Sequence, residues 1–177
     1  MHPVDPDRIA RWLAELVAVD SVTPALVPGA AGEAEAARWL ARVCRTLGLE
    51  VALHAAAPGR PNVLARWPGA GGGPSLLLTG HTDTVSTEGM TVSPFEPRVE
   101  DGRLHGRGAY DMKGGLAAIL GAVEALKASG FAPQGDLWLG FVADEEHASA
   151  GTEALVRRVQ PDAAILTEPT DLLPLLE

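Results

Sequence analysis

Short apolar runs that end in acidic or histidine-containing motifs constrain the fold of this 177-residue chain most strongly. Ser75–Thr79 and Leu137–Ala143 are continuous enough to predict strands buried on both faces, and Ala163–Thr167 predicts a third buried strand. Apolar residues at helical spacing predict helices over Met112–Ala128 and Ala150–Val159. Strands that alternate with helices in this way predict an α/β layered fold with a substantially parallel sheet.

The N-terminal part of the chain adds further helices and strands. Helical spacing predicts two helices, over Asp5–Val19 and Ala34–Leu47. Two strands are predicted over Leu49–Ala55 and Asn62–Trp67, and an Asp-Gly turn within Arg98–His105 predicts a hairpin. No internal repeat is visible, so these elements are expected to belong to one layered unit.

Composition and charge exclude several functional classes. An apolar content of 46% with 21% charged residues argues against disorder, and a net charge of −9 argues against nucleic acid or an anionic membrane as the main partner. No apolar stretch approaches the ~18 residues of a membrane span, and Met1–Asp5 lacks a signal pattern. The single cysteine, Cys44, excludes an internal disulfide, and its place on an apolar helical face identifies it as a core residue rather than a nucleophile. The expected compartment is the cytosol.

The first polar motif, Gly80-His81-Thr82-Asp83, directly follows an apolar run. In extended backbone the side chains of His81 and Asp83 point the same way. A metal-bound imidazole usually donates its other N–H group to a carboxylate, so His81 is a candidate metal ligand and Asp83 its partner. The alternative is an ordinary histidine–aspartate hydrogen bond at a turn.

Three further carboxylate motifs follow along the chain. Asp111 lies at the start of a predicted helix, whose positive end favours an anion; it is either a carboxylate that bridges two cations or an N-cap. Glu145 and Glu146 are adjacent and point in different directions, so one can bind a metal while the other holds a water; the alternative is a solvated acidic loop. Glu168 precedes a proline that restricts it to extended backbone, and the alternative there is a plain strand terminus.

These candidate residues all lie at the ends of predicted elements, where α/β folds place their sites. Nitrogen and oxygen donors without a thiolate suit zinc, manganese or cobalt, so the sequence predicts a metal-assisted hydrolase. A two-metal phosphoesterase is an alternative of another class, although this chain lacks the additional histidines and the Asn or Arg cluster that such a site uses. A non-catalytic α/β fragment is the third interpretation.

The order of four motifs resembles that of the M20 metallopeptidase/deacylase family. The motifs are Gly-His-Thr-Asp, Gly-Arg-Gly-Ala-x-Asp-Met-Lys-Gly-Gly, Asp-Glu-Glu and Thr-Glu-Pro, and the resemblance runs from roughly Asn62 to Thr170. The first two lean toward the branch of acetylornithine deacetylase and succinyl-diaminopimelate desuccinylase. The resemblance implies hydrolysis of the amide bond of an N-acyl amino acid or small peptide, with a carboxypeptidase or dipeptidase as the alternative. It also implies a three-layer α/β/α catalytic domain with a largely parallel mixed sheet.

The resemblance implies a set of metal ligands. His81, Asp111 and Glu168 would hold one zinc ion, and Asp111 and Glu146 would hold a second. Cobalt or manganese are possible substitutes for zinc.

The resemblance also implies roles for residues that do not bind metal. Asp83 would orient the imidazole, and Glu145 would be the general base that takes a proton from a water held between the metals. The peptide bond between Asp111 and Met112 is expected to be cis.

Family members are longer, so the resemblance predicts that residues 1–177 form the N-terminal portion of a catalytic domain. A lid domain that mediates homodimerisation, and a C-terminal segment that supplies a final histidine to the second zinc, would lie outside them. None of the five histidines matches that ligand, and His147 is the alternative source. His54 and His105 are expected to be surface or packing residues, and His2 to be disordered. These residues alone are expected to hold at most one well-occupied metal and to show negligible deacylase activity.

Overall fold

A computed structural model describes residues 4–170 and has a five-stranded mixed sheet at its centre. His2 lies outside the described residues. In chain order the elements are α1 (Pro6–Val17), α2 (Ala34–Thr46), β1 (Glu50–Ala57), β2 (Arg60–Trp67), β3 (Leu76–His81), β4 (Arg98–Glu100), β5 (Arg103–His105), α3 (Gly114–Ala128), β6 (Leu137–Val142), α4 (Ala150–Val156) and β7 (Ala163–Leu166). The predicted hairpin is confirmed, because β4 and β5 form a separate antiparallel pair.

The strand order in the main sheet is β1-β2-β6-β3-β7. β2 runs antiparallel to both of its neighbours, whereas β3 pairs in parallel with β6 on one side and with β7 on the other. The strands β1, β3, β6 and β7 therefore all run in one direction. This confirms the predicted mixed α/β sheet, and it brings the carboxyl ends of β3, β6 and β7 to the same edge.

Alternate residues of the strands pack against helices on the two faces of the sheet, as strand geometry requires. On one face the strands pack against α1, α2 and α3, and on the other Leu77 and Val142 pack against Leu155 of α4. The larger core includes Leu16, Leu40, Val63, Leu116, Leu120, Leu139 and Phe141. These two cores confirm the three-layer arrangement.

Cys44 is part of the larger core and has no exposed surface. Burial raises the pKa of its thiol to about 12. The thiolate is the nucleophilic form, so this side chain is inert at neutral pH. Its interpretation as a core residue is confirmed.

Three predicted features differ in the structure. The third strand was predicted to be buried, but the residues of β7 are exposed, with Ile165 at 51% and Leu166 at 58% of their full accessibility, because β7 lies at the edge of the described sheet and pairs with β3 alone. Helix α3 begins at Gly114 rather than Met112, because Asp111 and Met112 have non-helical dihedral angles. Helix α4 ends at Val156, earlier than the predicted Val159.

Within residues 4–170, no helix combines the length and the apolarity that crossing a membrane requires.

Candidate metal centre

His81, Asp111 and Glu168 meet at the edge formed by the carboxyl ends of the parallel strands. The Nε2 atom of His81 lies 3.1 Å from Asp111 Oδ1 and 3.5 Å from Glu168 Oε1, and one donor atom from each residue lies within 4.8 Å of the others. The His81 side chain is buried, whereas 52% of the Asp111 side chain is exposed. The cluster is therefore closed on the side of the sheet and open to solvent at Asp111.

The position of His81 depends on a close approach between β3 and the chain around Met112. A Cβ atom on Gly80 would lie 2.4 Å from Met112 Cε and 2.7 Å from Leu116 Cδ2, so a larger residue here would displace these side chains. The His81 ring is held by a hydrogen bond between Nδ1 and the backbone carbonyl oxygen of Asp83, at 2.9 Å. A carbonyl oxygen only accepts, so Nδ1 carries the proton and, in the neutral ring, Nε2 presents its lone pair to the carboxylates.

Three carboxylates set the protonation of His81. Burial acts to lower the pKa of this imidazole, but the hydrogen bonding and charge of Asp83, followed by the charges of Glu168 and Glu145, outweigh burial and raise the pKa to about 9. An imidazole beside several carboxylates therefore favours a positive charge at this position. Either a proton or a metal cation can supply that charge.

Asp83 is predicted to orient His81, and its carboxylate also contacts the loop that follows β6. Its carboxylate Oδ1 lies 3.6 Å from the ring Nδ1, and the shorter contact to the ring comes from the backbone carbonyl of Asp83. The two carboxylate oxygens accept the backbone N–H groups of Glu145 and Glu146, at 3.1 and 3.0 Å. Burial acts to raise the pKa of Asp83, but His81 and these N–H groups outweigh it and hold the pKa below its usual range. The Asp83 carboxylate thus ties the end of β3 to the loop that follows β6.

Asp111 lies in a turn that precedes α3, and its peptide bond to Met112 is cis, as predicted. Lys113, two residues after Asp111, is buried, and its Nζ donates a hydrogen bond to the backbone oxygen of Val19 at 2.8 Å. Burial lowers the pKa of this lysine to about 7. The hydrogen bond from Lys113 therefore ties the turn that carries Asp111 to the segment that follows α1.

Glu168 follows the end of β7, where the backbone N–H group of Thr167 donates to the oxygen of Thr79 at 3.2 Å. Helix α3 approaches this segment at Gly115, where a Cβ atom would lie 2.5 Å from Thr167 Oγ1 and 2.6 Å from its backbone oxygen. Among the residues described, Glu168 Oε1 is one of four buried side-chain polar atoms without a hydrogen-bond partner. Burial raises the pKa of Glu168 to about 7. The charge of His81 acts to lower this pKa, whereas the charges of Asp111, Glu145 and Glu146 act to raise it.

Glu145 and Glu146 follow Asp144 after the end of β6. Glu145 Oε2 lies 3.7 Å from His81 Nε2, and 43% of the Glu145 side chain is exposed. Glu146 does not belong to the three-residue cluster found within residues 4–170, but its pKa is raised by burial and by the nearby charges of Asp111, Asp83 and Glu145. Both glutamates therefore border the cluster.

The remaining described histidines lie outside the cluster. His147 is half-exposed, and its Nδ1 lies 3.8 Å from Asp144 Oδ1. His54 and His105 are partly buried on β1 and β5, as expected for packing residues. His147 therefore does not complete a second set of ligands among residues 4–170.

Sequence reasoning missed a buried polar network next to the centre. The guanidinium group of Arg60, at the start of β2, donates hydrogen bonds to Glu33, Asp144 and Thr23. Glu33 lies 27 residues before Arg60 and Asp144 lies 84 residues after it, so no local pattern connects them. Glu33 is completely buried in the structure, and no feature of the sequence predicts that burial.

Comparison with known protein families relates this chain to one peptidase family and to several curated proteins. The family described as "Peptidase family M20/M25/M40" matches residues 77–175. A succinyl-diaminopimelate desuccinylase of Gluconacetobacter diazotrophicus is 39% identical over 89% of this chain and 41% of its own length. An acetylornithine deacetylase of Aliivibrio fischeri is 36% identical over 91% of this chain and 43% of its own length. An N-formyl-4-amino-5-aminomethyl-2-methylpyrimidine deformylase of Halalkalibacterium halodurans is 35% identical over 92% of this chain and 39% of its own length. The chain thus spans about two fifths of the length of these curated relatives.

Solved structures give the same result for the fold. Aminopeptidase PepT from Bacillus cereus superposes with a TM-score of 0.75 at 26% identity, over 92% of this chain and 43% of that one. The M20 family metallo-carboxypeptidase Sso-CP2 from Sulfolobus solfataricus superposes with a TM-score of 0.78 at 24% identity, over 91% of this chain and 37% of that one. The second likeness concerns the fold alone, and it confirms the predicted α/β fold.

Proposed function

This chain belongs to peptidase family M20/M25/M40, and from that membership we propose that its cluster of His81, Asp111 and Glu168 binds a divalent metal ion for the hydrolysis of amide bonds. The proposed ion is zinc, with cobalt or manganese as substitutes, and the proposed substrates are N-acyl amino acids or small peptides. A second ion would be held by Asp111 and Glu146.

The observation that carries the proposal is the buried Glu168 Oε1, which lacks a hydrogen-bond partner among the described residues and lies 3.5 Å from His81 Nε2. A buried polar atom without a partner is costly, and a cation placed between this oxygen, Nε2 and Asp111 Oδ1 would satisfy all three. One imidazole and two carboxylates form a donor set that suits zinc. The cluster therefore fits the ion that the family implies.

Glu145 is proposed as the general base. A zinc ion in this cluster would polarise a substrate carbonyl and raise the acidity of a water molecule. The Glu145 carboxylate is half-exposed and close to Nε2 without belonging to the ligand cluster, which supports a role in which it would take a proton from that water and pass it to the departing amine. Asp83, through the N–H groups of Glu145 and Glu146, holds this loop at the centre.

The names of the relatives support the substrate class. A desuccinylase, a deacetylase and a deformylase each remove an acyl group from an amine, and these relatives are 35% to 39% identical to this chain. The aminopeptidase at 26% identity supports the peptide alternative. Homodimerisation through a lid domain, a cytosolic location and the assignment of residues 1–177 to the N-terminal portion of a catalytic domain stay predictions.

Calorimetric titration of the 177-residue chain with zinc tests the proposal directly. We expect one tight site, built from His81, Asp111 and Glu168, that also accepts cobalt. The whole protein should hydrolyse N-acetyl, N-succinyl or N-formyl amines, or small peptides, and should leave phosphoesters intact. Failure of the chain to bind zinc, cobalt and manganese, or hydrolysis of phosphoesters alone, would contradict the proposal.

Gly115→Ala should weaken zinc binding although residue 115 carries no ligand atom. The added Cβ atom would overlap the backbone oxygen of Thr167 and push Glu168 away from His81. Displacing one ligand in this way should lower zinc affinity by roughly 10- to 100-fold, the range for residues that position ligands. Titration calorimetry measures the effect.

Gly121→Ala is the matched control in the same helix. The three atoms nearest to its Cβ atom would be side-chain atoms of Ile9 and Val4, and none of them belongs to the segment that carries Glu168. Equal zinc affinities in the two variants would show that Gly115 does not position Glu168.

A further inference from the structure

Arg60 forms a buried junction between three parts of the chain that are distant in sequence. Its Nε donates to Glu33 Oε2 at 2.9 Å, its Nη2 to Thr23 Oγ1 at 2.8 Å, and its Nη1 to the carboxylate of Asp144. The exposed fractions of the three charged side chains are 12% for Arg60, 0% for Glu33 and 5% for Asp144. The planar guanidinium group can satisfy all of these acceptors together, which a single ammonium group cannot.

Asp144 directly precedes Glu145 and Glu146 in the loop that follows β6. Its backbone is in the left-handed region, with φ of 67°, which is uncommon for a residue other than glycine. Its carbonyl oxygen accepts the N–H groups of Ala148 and Ser149, at 3.2 and 2.6 Å, so the loop turns back around this residue. The orientation of Asp144 therefore fixes the direction in which the next two side chains leave the backbone.

A second residue of β2 closes the base of the same loop. The Oδ1 of Asn62 accepts the N–H group of Ala143 at 3.0 Å, and its Nδ2 donates to the oxygen of Gly151 at 2.7 Å. Asn62 holds the two ends of the loop, whereas Arg60 reaches the residue next to Glu145. The loop can therefore stay closed at its base while its tip loses its orientation.

Stability alone is a poor explanation for this junction. Two carboxylates share one guanidinium group in the interior, and buried ion pairs of this kind are often no more stabilising than an apolar replacement. Such groups are better explained where they fix one geometry among several. Here the geometry that they fix is that of the loop beside His81.

We propose that Arg60 is a positioning residue for the Glu145 carboxylate, acting through Asp144. Asp83 holds the Glu145 and Glu146 amides from the side of β3, and Arg60 holds the preceding residue from the side of β2. Together the two contacts set the side chains of Glu145 and Glu146 toward the cluster. The catalytic meaning of this role rests on the proposed function, whereas the positioning itself is a property of the fold.

Amide hydrogen exchange in the 177-residue chain tests the role without requiring activity. Arg60→Lys keeps the positive charge but loses the planar fork, so the amides of Glu145 and Glu146 should exchange at least ~10-fold faster, as expected for a local opening. The amide of Leu139, in the centre of β6, should change only as far as global stability changes. The matched control is Arg66→Lys on the same strand, where the arginine pairs with Asp136 and Glu50 at the surface and is 37% exposed.

Two results would overturn the proposal. The amides of Glu145 and Glu146 could keep their exchange rates in Arg60→Lys, or they could accelerate only in step with Leu139, which would mean a role in stability alone. If Arg60→Lys does not fold, Asp144→Asn decides by the same criteria, since it keeps the shape of the side chain and removes its charge. Cobalt titration of the unaltered chain tests the proposed function separately: if no cobalt binds, the metal assignment fails while the exchange rates still decide the role of Arg60.

Discussion

Replacing Asp111 by alanine is expected to lower the zinc affinity of the chain by more than ~100-fold, the upper range for loss of a residue that only supports a ligand. Its Oδ1 is the cluster atom nearest to His81 Nε2, at 3.1 Å, and the proposed second ion would use the same carboxylate. Half of this side chain is exposed, so its removal should change the free energy of unfolding little. Titration calorimetry gives the affinity, and chemical denaturation gives the stability.

The control for Asp111→Ala is Glu145→Gln, which removes a charge from the same cleft without removing a proposed ligand. The chain with glutamine at position 145 should bind zinc almost as tightly as the unaltered chain. If Glu145→Gln lost zinc while Asp111→Ala kept it, the assignment of ligand and base would be wrong.

Glu145→Gln in the whole protein should reduce the turnover of an N-acyl amino acid by ~10²- to 10⁴-fold, the usual contribution of a general base. The amide of glutamine cannot take up a proton from water at neutral pH, while its size and its backbone hydrogen bond to Asp83 are unchanged. Steady-state kinetics and metal analysis of the same sample test this prediction. Turnover within a few fold of the unaltered protein would mean that another group accepts the proton.

Strand positions could be predicted because the signal is local. The runs over Ser75–Thr79 and Leu137–Ala143 end within two residues of β3 and β6, since a strand between two layers needs apolar residues on both faces. The same signal misled for β7, whose apolar residues lie at an exposed edge of the described sheet. A run of apolar residues reports the capacity of a strand to be buried, and the topology decides whether it is.

The candidate cluster could be predicted because each of its members lies at a recognisable element end, His81 and Glu168 at strand ends and Asp111 before a helix. Parallel strands place their carboxyl ends together, so His81 and Glu168 meet although they are far apart in the chain. The contacts of Asp83 and Arg60 could not be predicted, because a hydrogen bond to a backbone N–H group or to a residue 84 positions away leaves no trace in spacing. Such contacts depend on how the elements pack, and local sequence patterns do not show that packing.

The strand order also dictates a sequence of events during synthesis. β6 lies between β2 and β3, both of which precede it in the chain, and β3 has no other neighbour than β6 and β7 in the described sheet. While the ribosome releases residues 1–136, β1 and β2 can form their hairpin, but β3 has no partner on either edge. Pairing across such long crossovers is slow, so the strand that ends in His81 stays unpaired, and open to aggregation, until β6 is released.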